Sequence, residues 1–102
     1  MISASNLPAL GCRERRTGDL VAWILTNGNG SIGMLHTVDS HRSRGLAQAL
    51  VRQLLPLWMH AGFGCPPFAY ITPENQASMA VFGKLGFSKK LDAEWLGLTF
   101  ER

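Results

Sequence analysis

The chain has 102 residues, of which 46% are hydrophobic and 17% charged, a balance typical of one small globular domain that buries its core without staples. Its net charge of +3 and isoelectric point near 9.3 favour an anionic ligand but are too mild to argue for nucleic acid. Cys12 and Cys65 match no metal spacing and no C-x-x-C, so both are expected to be reduced, buried or half-buried thiols and no metal is expected.

Residues 1–10 lack the basic segment and long apolar core of a signal peptide. The most apolar stretch, Leu46 to Ile71, is broken by Arg52, Pro56, His60 and Gly62, which excludes a membrane span. The expected setting is the cytoplasm, or the mitochondrion if the chain is part of a longer targeted protein.

In chain order, Leu7 to Arg13 reads as a short strand and Thr17-Gly18-Asp19 as a turn. The exposed pair Arg15/Arg16 reads as a solvated loop. Leu20 to Thr26 (LVAWILT) is a compact run of strand formers. Asn27-Gly28-Asn29-Gly30 then supplies a strong turn signal, because Asn and Gly tolerate positive φ. Ile32 to Val38 is the return strand, so residues 7–38 form an antiparallel meander.

Leu46 to Met59 carries apolar residues at 46, 47, 50, 51, 54, 57 and 58, the spacing of a helix with one wide apolar face. Pro56 removes a helical hydrogen bond and is expected to kink or shorten it. Gly62 and Gly64 end the helix, and Phe68 to Thr72 reads as a strand paired in parallel with an earlier one. Pro73-Glu74-Asn75 opens a second helix whose apolar face includes Ala77, Val81, Leu85 and either Met79 or Phe82. Gly86 stops it. Ser88 to Leu91 and Glu94 to Glu101 read as two final strands. The fold class is therefore α/β or α+β: a mixed, mostly antiparallel sheet with two main helices, in one domain spanning residues 1–102.

The most informative residues are Arg42-Ser43-Arg44-Gly45-Leu46-Ala47, an R-x-x-G-x-A turn between a strand and a helix. Such a turn points several backbone N–H groups at one spot, and the helix dipole adds about half a positive charge there. Gly45 and Ala47 keep side chains away from an approaching ligand. Arg42 and Arg44 add charge that pairs with phosphate oxygens.

The chain resembles the acyl-CoA N-acyltransferase (GNAT) superfamily. Thr37 to Ala47 resembles that superfamily's pyrophosphate loop. Asn75, Ser78, Phe82, Gly86 and Phe87 fall at the positions of its second motif: an Asn, a small residue three on, an aromatic seven on, then Gly-Phe. Within the superfamily, Val21 to Leu25 before a Gly turn, and Gly-Met-Leu-His-Thr-Val before His-Arg-x-x-Gly-Leu, are similar to the C-terminal domain of glycine N-acyltransferase-like proteins. The resemblance covers residues 7–100. The first strand and first two helices of a full acyltransferase have no counterpart, as in a truncated member or a piece of a longer protein.

The resemblance implies an acyl-CoA donor, a small amine acceptor such as glycine, and pantetheine held in a gap between Met34 to Val38 and Phe68 to Thr72. Backbone groups of Leu35 and Thr37 would hold the pantetheine and acyl carbonyl, with the Thr37 N–H as oxyanion donor. N–H groups of Arg42, Ser43, Arg44, Gly45, Leu46 and Ala47 would take the pyrophosphate. Asn75, Ser78 and Phe82 would line the pantetheine arm; Asn75 reads equally well as a helix N-cap.

Amine attack needs a neutral amine, and hence a general base. The acid that the glycine acyltransferase pattern places six residues before the strand-end Thr is Ser31 here. That leaves His36, with Asp39 and His41 just beyond it, as candidate bases, each acting directly or through water, or else His36 packs on the sheet face away from substrate. His41 reads as a solvent-exposed turn residue. The second motif's usual Tyr acid is Phe82, so the thiolate must leave without that acid. Tyr70 reads as a packed strand residue. Trp23, Trp58 and Trp95 read as core or interface aromatics, with Trp95 an alternative lining for an aromatic acyl pocket.

Two other readings stay open. One is a CoA-binding or regulatory module without turnover. The other, a small basic nucleic-acid binder, would need exposed aromatics along a basic stripe, whereas the apolar residues here follow core spacing, so no nucleic-acid partner is expected. Homodimerisation through an exposed sheet edge is a further expectation.

Overall fold

Turn residues set the topology of the first third of the chain. Ala9–Arg13 (β1), Leu20–Thr26 (β2) and Ile32–Thr37 (β3) form the expected antiparallel meander in a computed structural model that describes residues 7–89 and 94–97. The first turn closes through Gly18, at φ 79°, whose N–H donates to the Glu14 carbonyl at 2.8 Å. The second is a polar knot. Ser31, 2% exposed, donates from Oγ to Asn29 Oδ1 at 2.7 Å and accepts from Asn27 Nδ2 at 3.0 Å.

Leu46–Ala61 (α1) crosses from β3 to Phe68–Tyr70 (β4), and Gln76–Lys84 (α2) leads on to Ser88–Lys89 (β5) and Glu94–Leu96 (β6). The sheet order is β1-β2-β3-β4-β6-β5. Among the described residues, β3 and β4 form the parallel pair and the other neighbours are antiparallel. The expected strand ends at 90–91 and 98–101 lie outside the described residues. β4 is shorter than expected because the Thr72 carbonyl turns to accept the Asn75 N–H at 2.9 Å, starting the bend into α2.

The core lies on one face of the sheet. Ala22, Ile24, Ile32 and Ala69 pack under Leu50, Val51, Leu54, Leu55 and Trp58 of α1, with Phe82 and Phe87 closing the far end. Trp58 is 1% exposed, stacks on Phe63, and donates from Nε1 to the Gly30 carbonyl at 2.8 Å. That bond ties the long helix to the hairpin turn.

Three expectations are corrected here. Pro56 does not shorten α1, which runs 16 residues to Gly62, a left-handed C-cap at φ 80°. Pro56 is exposed, so the carbonyl it leaves without a helical donor faces water rather than the core. Leu55 is buried, whereas Leu57 is 48% exposed, so the apolar face is rotated slightly from the expected one. Cys12 is half-buried but Cys65 is exposed.

β3 is bulged. Trp23 lies opposite His36 and Leu25 opposite Gly33, so Ile24 faces both Met34 and Leu35. Met34 takes φ 54° to accommodate the extra residue. Beyond this bulge no β3–β4 pairing is recorded; the two strands meet at Ile32 opposite Ala69. The end of β3 therefore leaves its neighbour, and the site lies there.

Candidate functional site

A cleft of about 640 Å³ opens at the end of β3, bordered by the following loop, the start of α1 and one face of α2. It brings together Leu35, His36, Thr37, Arg42, Ser43 and Gly45 with Leu46, Ala47, Asn75 and Ser78. All were singled out from sequence.

The loop's backbone geometry explains its sequence. Ser43 and Gly45 both take left-handed conformations, at φ 65° and 76°. A non-glycine residue there carries strain of the kind concentrated at ligand sites. Alternating left-handed residues also turn successive N–H groups toward one concavity. A Cβ on Gly45 would meet nothing within 4 Å. Its glycine is therefore required by φ, not by space.

Gly45 is the N-cap of α1, and no side chain caps that helix end; its first turn also lacks an acid. The N–H groups of Leu46, Ala47 and Gln48 precede the first recorded intrahelical bond, Ala49 N–H to the Gly45 carbonyl at 3.1 Å. They are the orphan donors of a helix start, left facing the cleft with the positive end of the dipole.

Arg42 braces this loop. Its Nε donates to the Thr37 carbonyl at 2.9 Å and lies 3.3 Å from Asp39 Oδ1. Arg44 turns back to the Ser40 carbonyl, Nη2 to O 3.4 Å, and does not border the cleft. Asp39, expected as a candidate base, has its side chain 97% exposed and lies outside the cleft lining. A short 3-10 turn over Asp39–His41 points it to solvent.

The α2 wall begins with Asn75. Its Oδ1 accepts the Ser78 N–H at 3.2 Å, an N-cap, and it also lines the cleft. The cap uses the amide oxygen, which leaves the two Nδ2 donors for a ligand. Ala77, Ala80, Val81 and Lys84 continue the wall at the i, i+3, i+4, i+7 spacing of one helix face.

Ala77 is accordingly exposed rather than part of the apolar face. Phe82 is on the opposite side, 2% exposed and edge-on to Phe87 at 4.9 Å. It is a core residue, not a lining one, because its place in the 3.6-residue repeat faces the sheet.

The β3 wall supplies backbone. Val38 N–H donates to the Val21 carbonyl on β2 at 2.9 Å. N–H directions alternate along a strand, so the Thr37 and Leu35 N–H groups point away from β2, toward the side where β4 has diverged. β4 itself does not border the cleft. The expected second wall, Phe68 to Thr72, is replaced by α2, and Tyr70 is 55% exposed outside the cleft.

His36 borders the cleft and stacks on Trp23 with ring centroids 4.9 Å apart. His41 is not a solvent-exposed turn residue. Its side chain is 16% exposed, with Nε2 3.9 Å from Glu14 Oε2 and Nδ1 2.8 Å from Ser40 Oγ, and it too lines the cleft. Ser31 is locked in the hairpin knot and outside the cleft lining, so it offers no base.

Trp95 packs beside Gly83, 4.0 Å from where its Cβ would lie, outside the cleft lining. Residues that sequence reasoning missed as lining are Gln48, Ala77, Ala80, Val81 and Lys84. The signal that could have found the last four is the second stripe of α2, opposite its core stripe.

Electrostatically, the cleft favours an anion. None of the described residues that line it is acidic, while Arg42, Lys84 and the uncapped helix end all favour negative charge. Among the described residues, no cluster of His, Cys, Asp and Glu could hold a metal, and no helix is long and apolar enough to cross a membrane.

The sequence profile of the FR47-like protein family matches residues 9–96. A solved Drosophila protein superposes with a TM-score of 0.72 and 30% identity, over 87% of this chain and 30% of that one. A Klebsiella pneumoniae protein assigned as an acyl-CoA N-acyltransferase gives a TM-score of 0.73 at 16% identity, over 87% of this chain and 63% of that one. A Bordetella pertussis protein assigned as a GNAT-family acetyltransferase gives 0.67 at 19% identity, over 91% and 64%. The chain thus spans about a third of the Drosophila protein and just under two thirds of these two bacterial ones. No curated protein matches the sequence significantly. By its profile match the chain belongs to the FR47-like protein family, and its mixed sheet with two helices is the fold of GNAT-type acyltransferases.

Proposed function

We propose that this chain is an acyl-CoA-dependent N-acyltransferase that transfers an acyl group to the amine of a small acceptor such as glycine. The observation that carries the reading is the uncapped start of α1, opening on a cleft with no acid among its described lining residues. Helix ends are normally satisfied by a side chain, as Asn75 satisfies α2. Left open beside two left-handed loop residues, this one suits a pyrophosphate.

The residues fit CoA. The Ser43 to Ala47 backbone would hold the pyrophosphate, and the Nδ2 group of Asn75 would donate to an amide carbonyl of the pantetheine arm. Acyl-CoA supplies an activated thioester carbon. The Thr37 N–H, aimed away from β2, is placed to donate to the oxygen on which negative charge develops, a contact worth about 3–4 kcal/mol in measured acyl-transfer sites. His36, next to Thr37 in β3, also lines the cleft and takes the proton of the attacking amine, directly or through a water. With Phe82 in the core, the thiolate leaves unassisted, which a thiol pKa of about 8.5 permits.

The absence of an acid at position 82 and the burial of Ser31 favour one second reading, a CoA-binding module without turnover. Release of free thiol from acyl-CoA on addition of glycine separates the two. Acceptor-dependent release supports transfer, and saturable CoA binding without release supports the module.

A further inference from the structure

We infer that Lys84 receives the 3′-phosphate of CoA and makes the site prefer CoA to dephospho-CoA. The inference rests on the acyl-CoA reading above and adds to it the residue that selects the nucleotide end.

The cleft has two side-chain cations at its border, Arg42 and Lys84. They are not equivalent. Arg42 is spent on the fold of its own loop, bound through Nε to the Thr37 carbonyl and beside Asp39. The Lys84 side chain has no ion pair or hydrogen bond among the described residues. No acid among the described residues lines the cleft to neutralise it.

Position matters as much as charge. Lys84 lies nine residues beyond Asn75 on the same helix, about 13 Å along its axis at 1.5 Å per residue. Between them the cleft face of α2 is built from Ala77, Ser78, Ala80 and Val81, side chains short enough to let a ligand lie along the helix. The cleft thus presents two separate anion-favouring points, the loop with the α1 N-terminus and, away from the pantetheine end at Asn75, the Lys84 ammonium.

A ligand that matches carries one anionic group at the loop and a second farther along. CoA does, with its pyrophosphate and its 3′-phosphate on one ribose. Dephospho-CoA differs only in lacking the second. The competing role for Lys84 is purely local. A cation in the last turn of a helix complements the dipole, and that role would be felt in stability but not in the choice between the two ligands.

The test is calorimetric titration of the full chain, its Lys84→Ala variant and its Lys84→Arg variant with CoA and with dephospho-CoA. A solvent-accessible lysine–phosphate pair predicts that the unmodified chain prefers CoA by about five- to tenfold. Lys84→Ala should abolish the preference by weakening CoA alone, Lys84→Arg should keep it, and added salt should shrink it. Equal affinity of the unmodified chain for the two ligands, or an undiminished preference in Lys84→Ala, overturns the inference while leaving the acyl-CoA reading intact. Binding of neither ligand by the folded, unmodified chain overturns both.

Discussion

Replacing Gly45 by Glu separates the fold of the phosphate loop from its function. Gly45 is at φ 76°, and a Cβ there meets nothing within 4 Å. Any L side chain therefore costs the left-handed penalty of about 1–2 kcal/mol and no more. Gly45→Ala measures that penalty alone, a fall in melting temperature of roughly 5–15 °C for a domain of this size.

Glu carries the same penalty but places a carboxylate at the α1 N-terminus, where the dipole returns about 0.3–1 kcal/mol. The Glu variant should be as stable as the Ala variant or slightly more so. Its affinity for CoA should nevertheless collapse. A carboxylate about 4 Å from a phosphate charge costs roughly 4 kcal/mol at an effective dielectric of 20. Screening at this exposed turn lowers that to about 2–3 kcal/mol, still around a hundredfold in affinity. Thermal denaturation and titration with CoA read the two effects on the same samples. A Glu variant that binds CoA as well as the Ala variant does would refute the assignment of the loop.

Three further predictions follow from individual contacts. Asn75→Asp keeps an oxygen to accept the Ser78 N–H, so stability should hold, while loss of the Nδ2 donors should weaken CoA by about tenfold; unchanged affinity would reduce Asn75 to a cap. Trp58→Phe removes the buried bond to the Gly30 carbonyl and should cost about 2–3 kcal/mol, lowering the melting temperature by roughly 10 °C or more. An unaltered midpoint would show that the helix-to-turn tie contributes nothing. His36→Gln should cut acyl transfer by about a hundredfold or more without changing the Kd for CoA; retention of full turnover would move the base elsewhere, with His41→Gln as the next variant.

Local signals proved reliable in this chain where a residue's own chemistry decides the outcome. The Asn-Gly turn fixed the β2–β3 hairpin because Asn27, Asn29 and Ser31 satisfy one another within it. Gly45 and Gly62 bounded α1 because both ends need positive φ. Signals that depend on a third element were read less well. Pro56 is tolerated because its turn faces solvent, which periodicity shows only once the core face is known.

The half-buried state of His41 depends on Glu14, 27 positions earlier and brought close by the meander. The replacement of β4 by α2 as the second wall depends on the bulge at Met34, and no spacing in β3 announces an extra residue. Phe82 illustrates the limit of matching motif positions. It stands where an aromatic is expected, but burial in the core removes it from the chemistry. Lys84 lies on the stripe of α2 that faces away from the core, which helical spacing shows but which carries no motif signal of its own.

The most direct measurement is calorimetric titration of the purified, folded chain with acyl-CoA, with ATP as the control for nucleotide phosphate alone. The cleft between the end of β3, the α1 N-terminus and α2 predicts saturable one-to-one binding that requires the pantetheine arm and is lost in Gly45→Glu. Absence of binding, or equal binding of ATP, would contradict it.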